Sequence, residues 1–196
     1  MTRARLTFQG LPPESTQRLG LVLLGLAETQ LPGAAVTSVS FPHLPTLFTG
    51  PHDLPALAAR LGQLRVRHAG PSLAARCAFG GARTLTAADL ALATGLDVLE
   101  PDQVFVELGP ADALELCLVV ESGQGQRPAA GPPQGACLPL AARFTPLVTG
   151  SCAVVDGDLV LDWTTDAQAN PLETLRAAVA LLPAELRALL TGREPR

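Results

Sequence analysis

The sequence predicts an α+β fold, with a mixed, mostly antiparallel sheet and helices packed on one face. Helix-like segments are scattered among strand-like segments, and the second half contains consecutive strand–turn–strand patterns, which favours this class over a doubly wound sheet. Hydrophobic residues make up 47% of the 196 residues and charged residues 16%, which supplies enough apolar side chain for a sizeable core. We therefore expect a single domain over residues 1–196, in which the low-complexity stretch 123–135 forms a mobile surface loop.

The helices are predicted mainly from residues that favour helix ends. Thr86 followed by Asp89 forms a capping box, and Asn170 followed by Glu173 forms a second one, with proline at the first helical position. Gly95 is suited to end the helix that Thr86 begins. The predicted helices span residues 14–30, 53–62, 87–95, 171–181 and 183–191.

The strands are predicted from alternation and from apolar runs between turn residues. Outside the last hairpin they cover residues 2–9, 34–41, 63–69, 73–79, 103–108, 114–121 and 136–148. Strands 63–69 and 73–79 flank Gly70-Pro71, which predicts a hairpin that places Arg76 opposite Arg65. Pro139 and Pro146 favour an edge position for strand 136–148, because proline cannot donate to a ladder.

The clearest hairpin covers residues 152–163. Asp156-Gly157 is a two-residue sequence typical of a type I′ turn, and it pairs Val154 with Leu159. The same register forms one core face from Cys152, Val154, Leu159, Leu161 and Trp163.

The composition excludes several kinds of chemistry. There is no Lys, Ile or Tyr, and all 14 basic residues are Arg, a bias typical of GC-rich genomes. A Schiff-base lysine, a P-loop lysine and a tyrosine general acid are therefore absent. The four cysteines form no CxxC pair and lie in apolar runs, which predicts buried free thiols in a reducing, cytoplasmic setting. We expect no cofactor, no metal and no membrane segment, since the apolar run 19–27 is too short to span a bilayer.

The charges are segregated along the chain. Five arginines and no acid lie between Arg60 and Arg83, whereas the stretch up to Arg127 contains eight acids and no base. One interpretation pairs the strand arginines with Glu107, Glu115 or Glu121 as surface ion pairs. The other assigns an anion-binding face to Arg65, Arg67 and Arg76, whose guanidinium groups suit phosphate or carboxylate. The sequence leaves both open.

Two further groups of residues could take part in catalysis or bind a metal, although a role in turns explains each of them as well. His43, His52 and Asp53 share a proline-rich loop, which could serve acid–base chemistry or bind a metal, although the same residues are common in turns. Asp156 and Asp158 resemble a DxD metal clamp of a transferase, but a type I′ turn demands the same residues, and we favour the turn.

The first helix gives the main functional hint. Its segment LGLVLLGLA is apolar around most of its circumference, more than one sheet can cover. The remainder must be covered either by the C-terminal helices or by another protein, and in the second case the interface would include Leu19, Val22, Leu23 and Leu26.

These observations favour a non-catalytic interaction or scaffold protein, acting as a subunit of a homo- or hetero-oligomeric complex. The partner would be another protein chain or a second copy of this one. The alternative is a small anion-binding module or enzyme that uses the arginine face or the histidine loop. A net charge of −4 and 4% aromatic residues disfavour nucleic acid, which stays an open alternative.

Overall fold

A computed structural model describes residues 1–42, 54–68, 70–132, 137–166 and 169–190. The elements in chain order are β1 (Thr2–Phe8), α1 (Pro13–Gln30), β2 (Pro32–Ser40), α2 (Leu54–Gly62), β3 (Val66–Arg67), β4 (Ser72–Gly80), β5 (Arg83–Thr86), α3 (Ala87–Thr94), β6 (Asp97–Val98), β7 (Val104–Leu108), β8 (Ala113–Gln124), β9 (Gln126–Arg127), β10 (Cys137–Pro139), β11 (Ala142–Arg143), β12 (Leu147–Val155), β13 (Asp158–Thr165), α4 (Pro171–Ala180) and α5 (Ala184–Leu190). The chain is an α+β protein, as its sequence predicts.

The described strands belong to several sheets rather than one. A three-stranded sheet has the order β1-β13-β12, a four-stranded sheet has the order β10-β2-β8-β4, and three two-stranded ladders pair β11 with β9, β3 with β6, and β5 with β7. Every pairing whose residue register is defined is antiparallel, which confirms the mostly antiparallel prediction. The expected packing of all helices on one face of one sheet is not confirmed, because the strands are distributed over separate sheets.

The chain divides into two compact units. Unit 1 consists of Met1–Pro32 and Thr145–Arg196, and unit 2 consists of Gly33–Phe144. Unit 2 is thus inserted between the two halves of unit 1. The prediction of a single domain stays a prediction, because two units joined in this way can still unfold as one cooperative block.

Unit 1 is a three-stranded sheet covered by helices. Alternate residues of β13 point into the core, and the register places Leu6 of β1 opposite Leu161 and Phe8 opposite Leu159. Helices α1 and α4 contact each other, and both contact β13. The predicted pairing of the hairpin is confirmed, with Val154 opposite Leu159, but its continuous core face is not, because Val154 is 46% exposed whereas Leu159, Leu161 and Trp163 are buried. Its turn has φ of 52° at Asp156 and 87° at Gly157, the left-handed values that a type I′ turn requires.

Unit 2 has its core on one face of β8 and β4. Leu114, Leu116, Leu118 and Val120 are buried, while the residues between them face outward. Helix α3 begins as predicted, since the Asp89 carboxylate accepts a hydrogen bond from the Thr86 backbone N–H at 2.9 Å. It ends at Gly95, whose φ is 74°. Strand β10 lies at the edge of its sheet, which confirms the position predicted from Pro139.

Two predicted connections are wrong. No hairpin forms around Gly70-Pro71, because β4 pairs with β8 over nine residues and the two-residue β3 pairs with β6. Arg76 therefore lies opposite Cys117 and not Arg65. The stretch 123–135 is not wholly a loop either, since β8 continues to Gln124 and β9 follows directly.

Strand 136–148 is divided into β10, β11 and the start of β12. The mobility predicted for 123–135 stays a prediction.

Candidate interaction surface

Helix α1 lies unusually close to the β12–β13 hairpin. A Cβ atom placed on Gly20 would lie 2.8 Å from Leu159 Cδ1 and 2.9 Å from Cys152 Cβ. A Cβ atom on Gly150 would likewise collide with Leu24. The two glycines thus leave room for side chains of the facing element, so that the helix and the hairpin pack closely, and α1 accordingly contacts β12.

The structure divides the four predicted interface residues into two pairs. Leu19 and Leu23 are fully buried in the core of unit 1 and offer no surface to a partner. Val22 and Leu26 are half-buried and pack at the margin of the same core. Leu21, which the sequence argument did not single out, is 58% exposed. An interface on α1 would therefore use Leu21, Val22 and Leu26, and its existence stays a prediction.

Two of the three predicted anion-binding arginines are engaged in surface ion pairs. Arg67 Nη1 lies 2.9 Å from Asp97 Oδ2, across the β3–β6 ladder. Arg76 Nε donates to Glu115 Oε1 at 2.6 Å, and the side chain of Arg76 is more exposed than that of Glu115. Such exposed pairs contribute about 0–1 kcal/mol each. For Arg67 and Arg76 the geometry favours the ion-pair interpretation. Glu115 is one of the three partners that the sequence suggested.

Arg65, the third, has a different setting. It lines a cavity of about 290 Å³ in unit 2 together with Arg143. The sequence argument missed Arg143, because it lies far along the chain and outside the segregated basic stretch. The structure brings these two arginines together, whereas Arg67 and Arg76 do not line this cavity.

The remaining candidates give no site among the described residues. His43, His52 and Asp53 lie outside the residues that the structure describes. Over the described ranges, no group of three or more His, Cys, Asp or Glu side chains could hold a metal ion. Asp156 and Asp158 flank the tip of the β12–β13 turn, as a type I′ turn requires. All four cysteines are free thiols.

Burial and local hydrogen bonds shift a few titrating groups. Desolvation raises the pKa of the Cys77 thiol to about 12, with a smaller contribution from Cys117. The hydrogen bond from the Thr86 backbone lowers the pKa of Asp89, with help from the Thr86 hydroxyl and Arg83. A two-pronged hydrogen bond from Arg3, at 2.8 and 2.9 Å, lowers the pKa of Asp162. The hydrogen bonds to Asp89 and Asp162 stabilise local structure.

The comparisons with known proteins show a similarity to a subunit of RNA polymerase. No protein-family model matches the chain. The chain is 27% identical over 209 aligned residues to the DNA-directed RNA polymerase subunit alpha of Alkaliphilus oremlandii (strain OhILAs). The similarity covers 97% of this chain and 66% of that protein, so the chain spans slightly less than two thirds of its relative's length. An alignment of this extent includes residues of both units.

Within the described part of the chain, no helix is both long enough and apolar enough to cross a lipid bilayer.

Proposed function

We propose that this chain is a non-catalytic structural subunit of a multi-subunit protein complex of the RNA polymerase type. The observation that carries the proposal is the similarity to DNA-directed RNA polymerase subunit alpha, which runs over 97% of the chain. A similarity confined to one helix or one hairpin would suggest only a shared local motif. One that extends over both units suggests a shared architecture, and with it a shared role as a subunit.

The chemistry of the described residues supports an assembly role. Several acids and arginines of the described residues are engaged with one another, as in the pairs Arg3–Asp162, Arg67–Asp97 and Arg76–Glu115. The buried thiol of Cys77 has a raised pKa, which disfavours nucleophilic chemistry at neutral pH. A structural subunit needs surfaces that other chains can cover, and it needs no nucleophile of its own.

The surface that we assign to this role is centred on the exposed Leu21 of α1 and includes the half-buried Val22 and Leu26 at the margin of the core. Burying these apolar side chains against a partner would stabilise a complex, since each Å² of apolar surface removed from water contributes about 25 cal/mol. Leu19 and Leu23, on the core-facing side of α1 next to Val22 and Leu26, anchor the helix in its own unit.

Co-purification tests the proposal directly. The tagged chain, expressed in the cell that encodes it, should co-purify with the catalytic subunits of RNA polymerase at a fixed ratio. Light scattering after size-exclusion chromatography should give the complex a mass well above the 20.3 kDa of the chain alone. A chain that stays at 20.3 kDa, and that is absent from polymerase purified from the same cells, would refute the proposal.

A matched pair of substitutions tests the assigned surface. Leu21→Glu places a charge on α1 and should abolish co-purification. Leu92→Glu is the control, since Leu92 is 90% exposed on α3 in unit 2 and outside the assigned surface. If Leu92→Glu disrupts the complex and Leu21→Glu does not, the surface assignment is wrong even where the subunit role holds.

A further inference from the structure

Unit 2 contains a small cavity with two positively charged walls. It has a volume of about 290 Å³, and Arg65 and Arg143 are the charged side chains that line it. Gln63 adds an amide, and the other lining residues are apolar or glycine. The volume is at the lower end of the range of about 300–1,000 Å³ for small-molecule pockets. The cavity therefore suits a small anionic group.

Both arginines are held by rigid backbone. Arg65 lies between the buried Leu64 and Val66, and its carbonyl accepts a hydrogen bond from the Leu99 N–H at 2.9 Å. Arg65 also forms an isolated antiparallel bridge with Ala35. The backbone of Arg65 is thus fixed at the cavity, so that only its side chain would have to be ordered when a ligand binds.

Arg143 is held in the same manner on the other wall. Its neighbours Ala142 and Phe144 are buried with Ala35 in a small separate core. Arg143 pairs with Gln126 in the β11–β9 ladder, and the Phe144 N–H donates to the Gly125 carbonyl at 2.8 Å. Backbone pairing with Ala35 places Arg65 at the cavity, and backbone pairing with Gln126 places Arg143 there.

The electrostatics of this arrangement favour an anion. Two like charges that face one cavity repel each other unless a negative group lies between them, and among the described residues that line the cavity there is no acid. Each arginine also makes at least one other interaction within the chain. A guanidinium group carries five N–H donors, so such an interaction leaves donors for a carboxylate or phosphate.

A larger apolar cleft adjoins the arginine cavity. It has a volume of about 530 Å³, lies between α2 and β10, and shares Gly62, Gln63 and Ala141 with the smaller cavity. Ala58, Leu138 and Leu140 are among its apolar lining residues. A ligand with a charged head and an apolar body could occupy both spaces at once.

We propose that unit 2 binds a small organic anion, with its carboxylate or phosphate on Arg65 and Arg143 and its apolar body in the adjoining cleft. This site goes beyond the proposed subunit role and does not depend on it. Arg65 and Arg143 recognise the oxyanion through charge-assisted hydrogen bonds. The cleft selects for an apolar chain by removing it from water.

Calorimetric titration at constant ionic strength tests the ligand class. The probes are hexanoate and hexyl phosphate, each compared with its short counterpart, acetate or inorganic phosphate. We expect saturable binding of at least one six-carbon probe, at least 10-fold tighter than its short counterpart, since each buried methylene strengthens binding about 4-fold. If neither six-carbon probe binds more tightly than its counterpart, the cleft has no role and the proposal fails.

Arginine substitutions test the recognition of the head group. Arg65→Gln and Arg143→Gln should each weaken binding of the six-carbon probe about 10-fold or more, because each removes charge-assisted hydrogen bonds. Arg76→Gln is the matched control, since Arg76 is an exposed strand arginine of the same unit that is paired with Glu115. Equal weakening in all three variants would show only a general charge effect and would overturn the proposal.

Conservative substitutions keep the test decisive if a glutamine variant fails to fold. Arg65→Lys and Arg143→Lys retain the charge but lose the forked geometry of the guanidinium. They should fold with the circular dichroism spectrum of the natural chain and still bind the six-carbon probe about 10-fold more weakly. Unchanged binding in both lysine variants would count against direct contact between these arginines and the anion.

Discussion

Cys77 differs from the other three cysteines of the chain in its burial. Desolvation raises its pKa to about 12, so only about one thiol in ten thousand is ionised at pH 8. We predict that a thiol-specific alkylating reagent modifies the half-buried Cys117, Cys137 and Cys152 well before Cys77. Peptide mass spectrometry of partly labelled protein gives the order of modification. The denatured chain is the control, and there all four should react alike; equal rates in the folded chain would contradict the prediction.

The pKa of Asp89 links one residue to the pH dependence of stability. Its pKa is lowered in the folded protein, mainly by the hydrogen bond from the Thr86 backbone N–H. The ionised carboxylate therefore stabilises the fold above its unfolded pKa of about 3.9, and this stabilisation is lost as the pH falls through the lower folded value.

We predict that Asp89→Asn reduces the free energy of unfolding by about 1 kcal/mol at pH 7, since it weakens a helix cap. The difference from the natural chain should shrink as the pH falls below the unfolded pKa and through the lower folded value, measured by chemical denaturation at a series of pH values. Asp102→Asn, at an exposed position, is the control and should change little. A difference that persists undiminished at low pH would show that the ionised carboxylate is not the stabilising group.

Within α1, two glycines give opposite expectations. Gly20 faces Cys152 and Leu159 at distances that leave no room for a methyl group, whereas a Cβ on Gly25 would meet nothing within 4 Å. Replacing glycine by alanine in a helix stabilises it by about 1 kcal/mol where there is space, and overpacking costs about 1–3 kcal/mol where there is none.

We predict that Gly25→Ala raises the free energy of unfolding and that Gly20→Ala lowers it relative to Gly25→Ala by about 1–3 kcal/mol. Urea denaturation followed by Trp163 fluorescence measures both, because Trp163 is the one tryptophan of the chain and lies in the core of unit 1. Equal stability of the two variants would show that α1 and the hairpin can separate at little cost.

The elements that local chemistry specifies were predictable from the sequence. Capping residues and proline positions placed the described helices within a residue or so of their observed ends, as for α1 at Pro13–Gln30. The Asp156-Gly157 turn fixed the register of the last hairpin. In each case the signal lies within a few residues of the feature, so no distant contact is needed to interpret it.

The predictions that failed depended on partners elsewhere in the chain. Gly70-Pro71 is typical of a hairpin turn, but Ser122 donates to the Gly70 carbonyl at 2.6 Å and the segment lies along β8 instead. Gly123 is typical of a loop, but a Cβ there would lie 2.9 Å from the Phe144 ring, so this glycine permits close packing. The sequence could not predict that Arg143 and Arg65 line the same cavity, because only the folded backbone brings these distant residues together.

At the scale of the whole molecule, the single-domain prediction can be tested by the cooperativity of unfolding. Trp163 fluorescence reports on unit 1, while far-ultraviolet circular dichroism reports on the helices and strands of both units. We predict that the two signals give the same urea midpoint, because unit 1 is built from chain segments on both sides of unit 2. Midpoints that differ beyond error would show that the units unfold separately and that the chain comprises two domains.

The insertion of residues 33–144 has a consequence for synthesis on the ribosome. Translation delivers α1 early, but β12 and β13, which cover its apolar side, emerge only after more than a hundred further residues. Unit 2 can complete its own core during that interval, since domains fold as they emerge. The nascent chain therefore keeps the apolar side of α1 exposed until β12 and β13 have emerged, and exposed apolar surface of this kind promotes aggregation.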